Sequence, residues 1–254
     1  MSFNSPTAAV LIIGNEILSG RTQDCNLAHI AGKLGAIGVR LAEARVVADV
    51  EEEIVAAVNA LRACCTYVFT TGGIGPTHDD ITTDAIARAF GVAVAEHPEA
   101  RARLMAYYTK TPVNQARLRM ARIPEGATLI DNCVSGAPGF RLGNVYVLAG
   151  VPDIMRAMLE TILPKLQHGP AYLSCSVSGF VAESTIAEAL TVIASSYPQL
   201  DIGSYPWQKD GRWGTALVAR GTDRTAIAAA ACDILALVKR YDPEPVMMTD
   251  GAGE

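Results

Sequence analysis

The chain has 254 residues, half of them hydrophobic, which suffices for one large domain or for a large domain with a small one. Lys and Arg number 21 and Asp and Glu 26, so the net charge is −5, which argues against a broad nucleic-acid-binding surface. No apolar run is long enough for a membrane span, and residues 1–7 lack the pattern of a secretory signal. None of the six cysteines forms a C-x-x-C pair, so we expect a reduced, cytoplasmic chain. From the charge and the lack of a long apolar run, we expect that it binds neither nucleic acid nor membranes.

The first part of the chain alternates apolar, strand-like runs with helical patterns. Strands are predicted at 8–13, 39–47 and 67–71, and helical patterns follow each of them, the last from about residue 80 to residue 90. This β-α-β-α-β-α order with short connections predicts an α/β fold: a three-layer, open, mostly parallel sheet with helices on both faces. Ligands bind beyond the carboxyl ends of the strands in such sheets, so we expect the loops that follow the strands to share one functional rim.

The order of elements changes after residue 168, where Gln-His-Gly-Pro marks a boundary. Residues 169–241 predict strand, helix, strand, strand and helix, which is typical of a small α+β domain with helices on one face of an antiparallel sheet. Residues 242–254 are rich in Pro, Gly and acidic residues. We therefore expect a domain at 1–168, a small domain at 169–241 and a flexible tail at 242–254.

The clearest functional pattern is residues 72–80, which we call the glycine loop. It follows a predicted strand, contains three glycines in four positions and leads into a helical pattern. Free backbone N–H groups at such a strand-to-helix turn can bind an anion. The loop is not a Walker P-loop, because no Lys follows the glycines, and it is not a Rossmann G-x-G-x-x-G motif. Thr77 and Asp80, three residues apart, predict a helix N-terminal cap.

Two adjacent carboxylates, Asp79 and Asp80, lie at the end of the glycine loop. Beside a bound phosphate they would repel it, and a divalent cation between them removes that conflict; Mg²⁺ commonly binds one or two carboxylates together with phosphate oxygens. The alternative is that both aspartates only complement the helix dipole. His78 is a candidate general base, although a lone loop histidine more often only forms hydrogen bonds.

Residues 70–82 resemble the signature of the MoaB/Mog molybdopterin-binding domain family; they read Thr-Thr-Gly-Gly-Ile-Gly-Pro-Thr-His-Asp-Asp-Ile-Thr. Within that family, they are most similar to the CinA-like branch. Segments 13–20, 132–140 and 148–152 resemble further motifs of that branch in the same order. The resemblance implies the MoaB/Mog-like fold, followed in the sequence by a small domain, and a symmetric homo-oligomer. The amidohydrolase domain of longer CinA proteins has no match in these 254 residues.

The resemblance also implies a site for a small phosphorylated ligand, namely ADP-ribose, an adenine nucleotide or molybdopterin, with a divalent metal such as Mg, Mn or Co. Asp80 and Asp49 match acidic residues of the molybdopterin-adenylylating relatives, so with His78 they are the candidate catalytic residues, and Asp79 and Asp80 are the candidate metal ligands. The candidate ligand-binding residues are Gly14, Asn15, Glu16, Thr71, Gly72, Gly73, Gly75, Pro76, Thr77, Asn132, Gly136, Pro138 and Gly139.

Three functions fit this pattern. The first is a metal-dependent nucleotide pyrophosphatase acting on ADP-ribose or a similar diphosphate, in which the metal activates water. The second is molybdopterin adenylyl transfer, which uses nearly the same residues. The third is a non-catalytic pterin- or nucleotide-binding module. Two departures from the family's motifs, Asn15 for the commoner Asp and Ala149 for the usual Pro, keep the third function open.

Overall fold

The computed structural model describes residues 5–109, 111 and 113–250. Contacts within the chain divide it into two compact units, Met1–Gly169 and Pro170–Glu254. Among the described residues, none of the helices combines the length and the apolar composition that crossing a membrane requires.

The first unit contains eight labelled strands and seven labelled helices within the described residues. The strands are β1 (Thr7–Ile13), β2 (Arg40–Val47), β3 (Tyr67–Thr71), β4 (Val94–Glu96), β5 (Arg122–Pro124), β6 (Thr128–Ile130), β7 (Gly139–Leu142) and β8 (Val145–Leu148). The helices are α1 (Asn15–Leu18), α2 (Asn26–Ala36), α3 (Glu51–Cys64), α4 (Thr82–Phe90), α5 (Pro98–Tyr107), α6 (Gln115–Arg119) and α7 (Pro152–Ile162), with a 3₁₀ turn at Leu163–Lys165.

A six-stranded sheet of order β2-β1-β3-β8-β7-β6 forms the centre of this unit. The first four strands are parallel, and β7 and β6 add an antiparallel edge, while β4 and β5 pair separately. Alternate residues of β1 enter two different cores, one under α3, α4 and α5 and the other under α2 and α7. A continuous apolar run is what a strand buried on both faces requires, and the predicted three-layer, mostly parallel α/β fold is confirmed.

The start of α4 differs from the prediction. This helix begins at Thr82, whose backbone N–H donates to the carbonyl oxygen of Gly73 at 3.0 Å and whose hydroxyl donates to that of Gly72 at 2.9 Å. Asp80 does not cap the helix; its carboxylate accepts the N–H of Thr77 at 2.7 Å and closes a turn inside the glycine loop. The predicted cap is therefore wrong: Asp80 does accept the N–H of Thr77, but the helix begins only at Thr82, with Ile81 at its N-cap position and no side-chain cap.

The second unit is a single antiparallel sheet with two helices. Its elements are β9 (Leu173–Gly179), α8 (Glu183–Ser196), β10 (Asp201–Lys209), β11 (Arg212–Gly221), α9 (Arg224–Val238) and β12 (Val246–Asp250). The strand order is β10-β11-β9-β12, and the buried residues of the central strands pack against the helices on one face. The predicted small α+β architecture is confirmed.

The predicted flexible tail is wrong for residues 246–250. They form β12, which pairs antiparallel with β9 from Val246 opposite Ser178 to Asp250 opposite Ser174. The Pro, Gly and acidic residues around this short apolar segment obscure its capacity to pair with the otherwise open edge of β9. Residues 251–254 of the predicted tail lie outside the described part of the chain.

Candidate functional site

The loops that follow β1, β2, β3 and β8 meet at one end of the sheet. The backbone N–H of Asn15 donates to the carboxylate of Asp49 at 2.8 Å, and that of Gly14 donates to Val47 at 3.2 Å. The N–H of Gly72 donates to Leu148 at 3.3 Å. Parallel strands place their carboxyl ends at one edge, and the hydrogen bonds show that the predicted rim exists as a connected structure.

Gly72 and Gly73 bring the glycine loop against its neighbours. Both have positive φ angles, 102° and 67°. A Cβ atom on Gly72 would collide with the carbonyl oxygen of Ile13, and one on Gly73 would collide with the hydroxyl of Thr82. Packing alone therefore requires these two glycines. Because the N–H of Thr82 is already bonded within the loop, that first N–H of α4 is not available to an anion.

Thr77 lies between the two candidate metal ligands. Its hydroxyl is within hydrogen-bond distance of one carboxylate oxygen of Asp79 and one of Asp80. A hydroxyl has one hydrogen, so it can donate to only one of these carboxylates at a time. The hydrogen bond from Thr77, the N–H of Asp79 itself and the nearby His78 lower the pKa of Asp79. The arrangement therefore keeps negative charge at the exposed end of the loop.

Asp49 does not join this carboxylate pair in a common metal site. In the described part of the chain, no three or more His, Cys, Asp or Glu side chains are grouped so as to hold a metal ion. Asp49 instead bonds to the backbone of Asn15. Two carboxylates still match the protein ligands that Mg²⁺ uses when phosphate oxygens and water complete its shell, so Asp79 and Asp80 fit such an ion bound together with its ligand.

A cleft on one side of the glycine loop, the Asp80 cleft, is lined by Asp80 and by two arginines, Arg119 and Arg122. Arg122 binds Asp84 through two hydrogen bonds of 2.7 and 3.2 Å, and Arg117 stacks on the ring of Tyr108 at 4.0 Å. Arg119 is exposed and lines the cleft beside Asp80. The residues that line it are Ile74, Gly75, Asp80, Thr83, Asp84, Arg119, Met120, Arg122, Ile123, Pro138 and Phe140. The cleft has a volume of only about 10 Å³, so Arg119 would contact a phosphate at its surface and not inside it.

A second cleft, the Asn26 cleft, lies on the same rim at the carboxyl ends of β1 and β3. Its lining residues are Ile12, Ile13, Glu16, Ile17, Thr22, Gln23, Asp24, Cys25, Asn26, Thr71, Gly72, Gly150 and Pro152. Asn26 was not among the predicted site residues, because in the sequence it reads only as the start of α2. Its partner, the carbonyl of Gly150 at 2.8 Å, lies 124 residues further along the chain.

Asn132, one of the predicted ligand residues, forms its side-chain hydrogen bonds within its own loop. Asn132 is buried, donates to Ser135 and Ala137 at 2.6 and 2.7 Å, and accepts from Val134 and Ser135. Its amide therefore has no donor left for a ligand, and we interpret it as a loop-closing residue.

The glycines near Asn132 also have structural reasons. Gly136 has a φ of 73° and lies against the ring of Tyr107, where a Cβ would collide with that side chain. Gly139 lies in β7, where a Cβ would collide with the carbonyl of Val147. Of this predicted segment, Pro138 reaches the Asp80 cleft.

The remaining predicted residues stay at the rim. Glu16 and Thr71 line the Asn26 cleft, Gly75 lies under the Asp80 carboxylate, and Pro76 is half-buried within the glycine loop. His78 is exposed next to Asp79.

Two family models match the chain. Residues 9–168, more than half of it, match the model described as "probable molybdopterin binding domain", and residues 171–243 match "FAD synthase, middle domain". The boundary between the two matches falls where the contacts divide the structure.

Among the curated relatives, a CinA-like protein of Desulfosudis oleivorans is 36% identical over 209 residues, covering 77% of this chain and 51% of the relative. A protein of Pyrobaculum calidifontis is 36% identical over 213 residues, covering 79% of this chain and 81% of the relative. This chain thus spans about half the length of the CinA-like relative. A solved structure of CinA from Thermoplasma acidophilum, described as of unknown function, has a TM-score of 0.60 at 34% identity and covers 64% of this chain and 98% of that one.

Proposed function

Since the chain belongs to the molybdopterin-binding domain family and has CinA-like relatives, we propose that its first unit is a metal-dependent nucleotide pyrophosphatase. The substrate we propose is ADP-ribose or a similar diphosphate. The observation that carries the proposal is the pair of carboxylates, Asp79 and Asp80, around the single hydroxyl of Thr77. The loop places two negative charges side by side, and a divalent cation bound with a diphosphate supplies the positive charge that balances them.

In this reaction, residues of the glycine loop and of the Asp80 cleft have separate roles. Asp79 and Asp80 would hold the cation, which when bound neutralises charge on the diphosphate and activates water. Arg119 contacts a phosphate from the side of the Asp80 cleft. His78 is the candidate general base, since it is exposed beside Asp79 and an imidazole can take a proton from water. Water gives a proton to His78 and its oxygen bonds to one phosphorus atom; the P–O–P bond breaks, the bridging oxygen stays with the other phosphorus atom, and AMP and ribose 5-phosphate leave.

The test is turnover of ADP-ribose by the purified chain with Mg²⁺, Mn²⁺ or Co²⁺, with a chelator as control. We expect AMP and ribose 5-phosphate only when metal is present, and a loss of about a hundredfold or more in Asp80→Asn. Asp201→Asn, an exposed aspartate of β10 in the second unit, is the matched control and should keep full activity. Absence of turnover with all three metals would remove the proposal.

Molybdopterin adenylyl transfer is the second candidate, favoured by the family description that covers residues 9–168. It predicts release of pyrophosphate from ATP only when molybdopterin is present. A third outcome, tight binding of either ligand with metal but without turnover, would identify a binding module. The homo-oligomer implied by the family resemblance stays a prediction, which light scattering on the purified chain can test.

A further inference from the structure

Asn26 has a buried acceptor without a donor. Its side chain is 5% exposed, and its Nδ2 donates to the carbonyl of Gly150 at 2.8 Å. Within the described residues no donor reaches its Oδ1. Exchanging the amide oxygen and nitrogen would place two acceptors, Oδ1 and the Gly150 carbonyl, against each other, so the observed orientation is the favourable one. A buried acceptor left unpaired is unfavourable, so a donor from outside the protein, a water molecule or a ligand that displaces it, has to supply the hydrogen bond.

The Asn26 cleft offers acceptors and little positive charge. Its lining residues include Glu16, Asp24 and Asn26, and neither Lys nor Arg is among them. A phosphate presents only acceptors at its ionised oxygens, so this wall does not suit it. A sugar hydroxyl or the amino group of a base presents the hydrogen that Oδ1 lacks. The Asp80 cleft has the opposite character, because Arg119 and Arg122 line it.

The two clefts are close enough for one ligand. Gly72 lines the Asn26 cleft and Gly75 lines the Asp80 cleft, so they lie three residues apart in the same loop. Even a fully extended chain of three residues spans only about 11 Å.

We propose that the Asn26 cleft binds the sugar or base of the nucleotide, with Oδ1 of Asn26 accepting a hydrogen bond from a ligand O–H or N–H. The phosphates then lie on the side of the Asp80 cleft. This inference rests on the proposed function and divides its site into two parts. The Asn26 cleft accepts hydrogen bonds from the sugar or base, and the side of the Asp80 cleft binds the phosphates. The bond from Asn26 to Gly150 holds the amide in place, so the acceptor is oriented before the ligand arrives.

The test is calorimetric titration of the full chain with three probes in the presence of Mg²⁺: AMP, ribose 5-phosphate and inorganic pyrophosphate. In Asn26→Leu we expect AMP, ribose 5-phosphate or both to bind about five- to tenfold more weakly, with pyrophosphate affinity unchanged. The probe that weakens identifies which half of the nucleotide occupies the cleft. Asn59→Leu, the same change at an exposed position of α3, should alter none of the three affinities.

A second measurement avoids the variant, in case Asn26→Leu disturbs the loop at Gly150. With the unaltered chain, AMP analogues that lack the 2′-hydroxyl, the 3′-hydroxyl or the 6-amino group are compared, and one of them should show the same loss as Asn26→Leu. Equal weakening of pyrophosphate, unchanged affinities in Asn26→Leu, or no binding of AMP and ribose 5-phosphate would overturn the inference. Selective loss of AMP binding without ADP-ribose turnover would instead remove only the proposed activity.

Discussion

The hydroxyl of Thr82 donates a hydrogen bond to the carbonyl oxygen of Gly72, and both residues lie at the two ends of the glycine loop. Thr82 is completely buried, and its N–H also bonds to Gly73. The first residue of α4 thus anchors the start of the loop directly, across ten positions of the chain. These two bonds fix the start of the glycine loop to the start of α4, while Asp79, between them in the sequence, is exposed to solvent.

Replacing Thr82 with Val should remove the hydrogen bond between the start of α4 and the start of the glycine loop. The substitution keeps the shape of the side chain but removes the buried hydroxyl, so we expect the free energy of unfolding to fall by about 1–3 kcal/mol. Denaturant titration measures the change. Thr225→Val makes the same replacement in the first turn of α9 at an exposed position, and there the loss should be within about 0.5 kcal/mol. Equal effects of the two substitutions would contradict the anchoring role.

Gly72→Ala should be more damaging. The new Cβ would meet the carbonyl of Ile13 at a backbone position that already has a φ of 102°, so we expect a loss of about 2–5 kcal/mol. Gly20 provides the comparison, because it also has a positive φ, 71°, but apart from its two chain neighbours no residue lies within 4 Å of the place that its Cβ would occupy. Gly20→Ala should cost only about 1 kcal/mol in the same denaturant experiment, and a loss as large as that of Gly72→Ala would show that the φ angle alone is responsible.

Asn132→Ala tests whether this residue closes a loop or contacts a ligand. Four hydrogen bonds within residues 132–137 depend on its amide, so we expect the free energy of unfolding to fall by about 2–4 kcal/mol. The affinity of the folded protein for AMP should not change. Loss of AMP affinity with stability unchanged would restore Asn132 to the ligand-binding set.

Thr77→Val should raise the pKa of Asp79 toward its ordinary value, since the hydrogen bond from Thr77 is the main cause of its lowering. A carboxyl whose pKa is lowered by folding adds stability above its unfolded pKa and loses it as pH falls through the folded pKa. The part of the acid-induced loss that belongs to Asp79 should therefore diminish in this variant. Carbon-detected NMR titration of the Asp79 carboxyl measures the pKa, and an unchanged value would mean that Thr77 does not hold it.

The sequence predicted the layers of the fold better than the contacts of the site. The apolar run of β1 and the periodic helices that follow it are local patterns, and they suffice for a parallel sheet between two helix layers. Asn26 could not be placed from the sequence, since its partner Gly150 is 124 residues away. The role of Asn132 was missed for a different reason. The motif gave the position of this residue, but not whether its amide forms hydrogen bonds within its own loop or with a ligand.

The difference between local patterns and contacts of distant residues also explains why the strand at the end of the chain was not predicted. Val246–Asp250 is a short apolar segment among Pro, Gly and acidic residues, and composition alone hides it. Its conformation depends on a partner strand, β9, that lies about seventy residues earlier and offers an open edge.

That pairing gives β9 neighbours on both sides, β11 and β12. Without β12, the N–H and C=O groups along one side of β9 would be exposed at a sheet edge, next to the serines at 174, 176 and 178. Such an edge invites strands from other molecules, the usual first step of aggregation. β12 covers that side of β9 and becomes the edge strand itself, so the open edge of the sheet now carries the exposed side chains of Val246, Met247 and Met248.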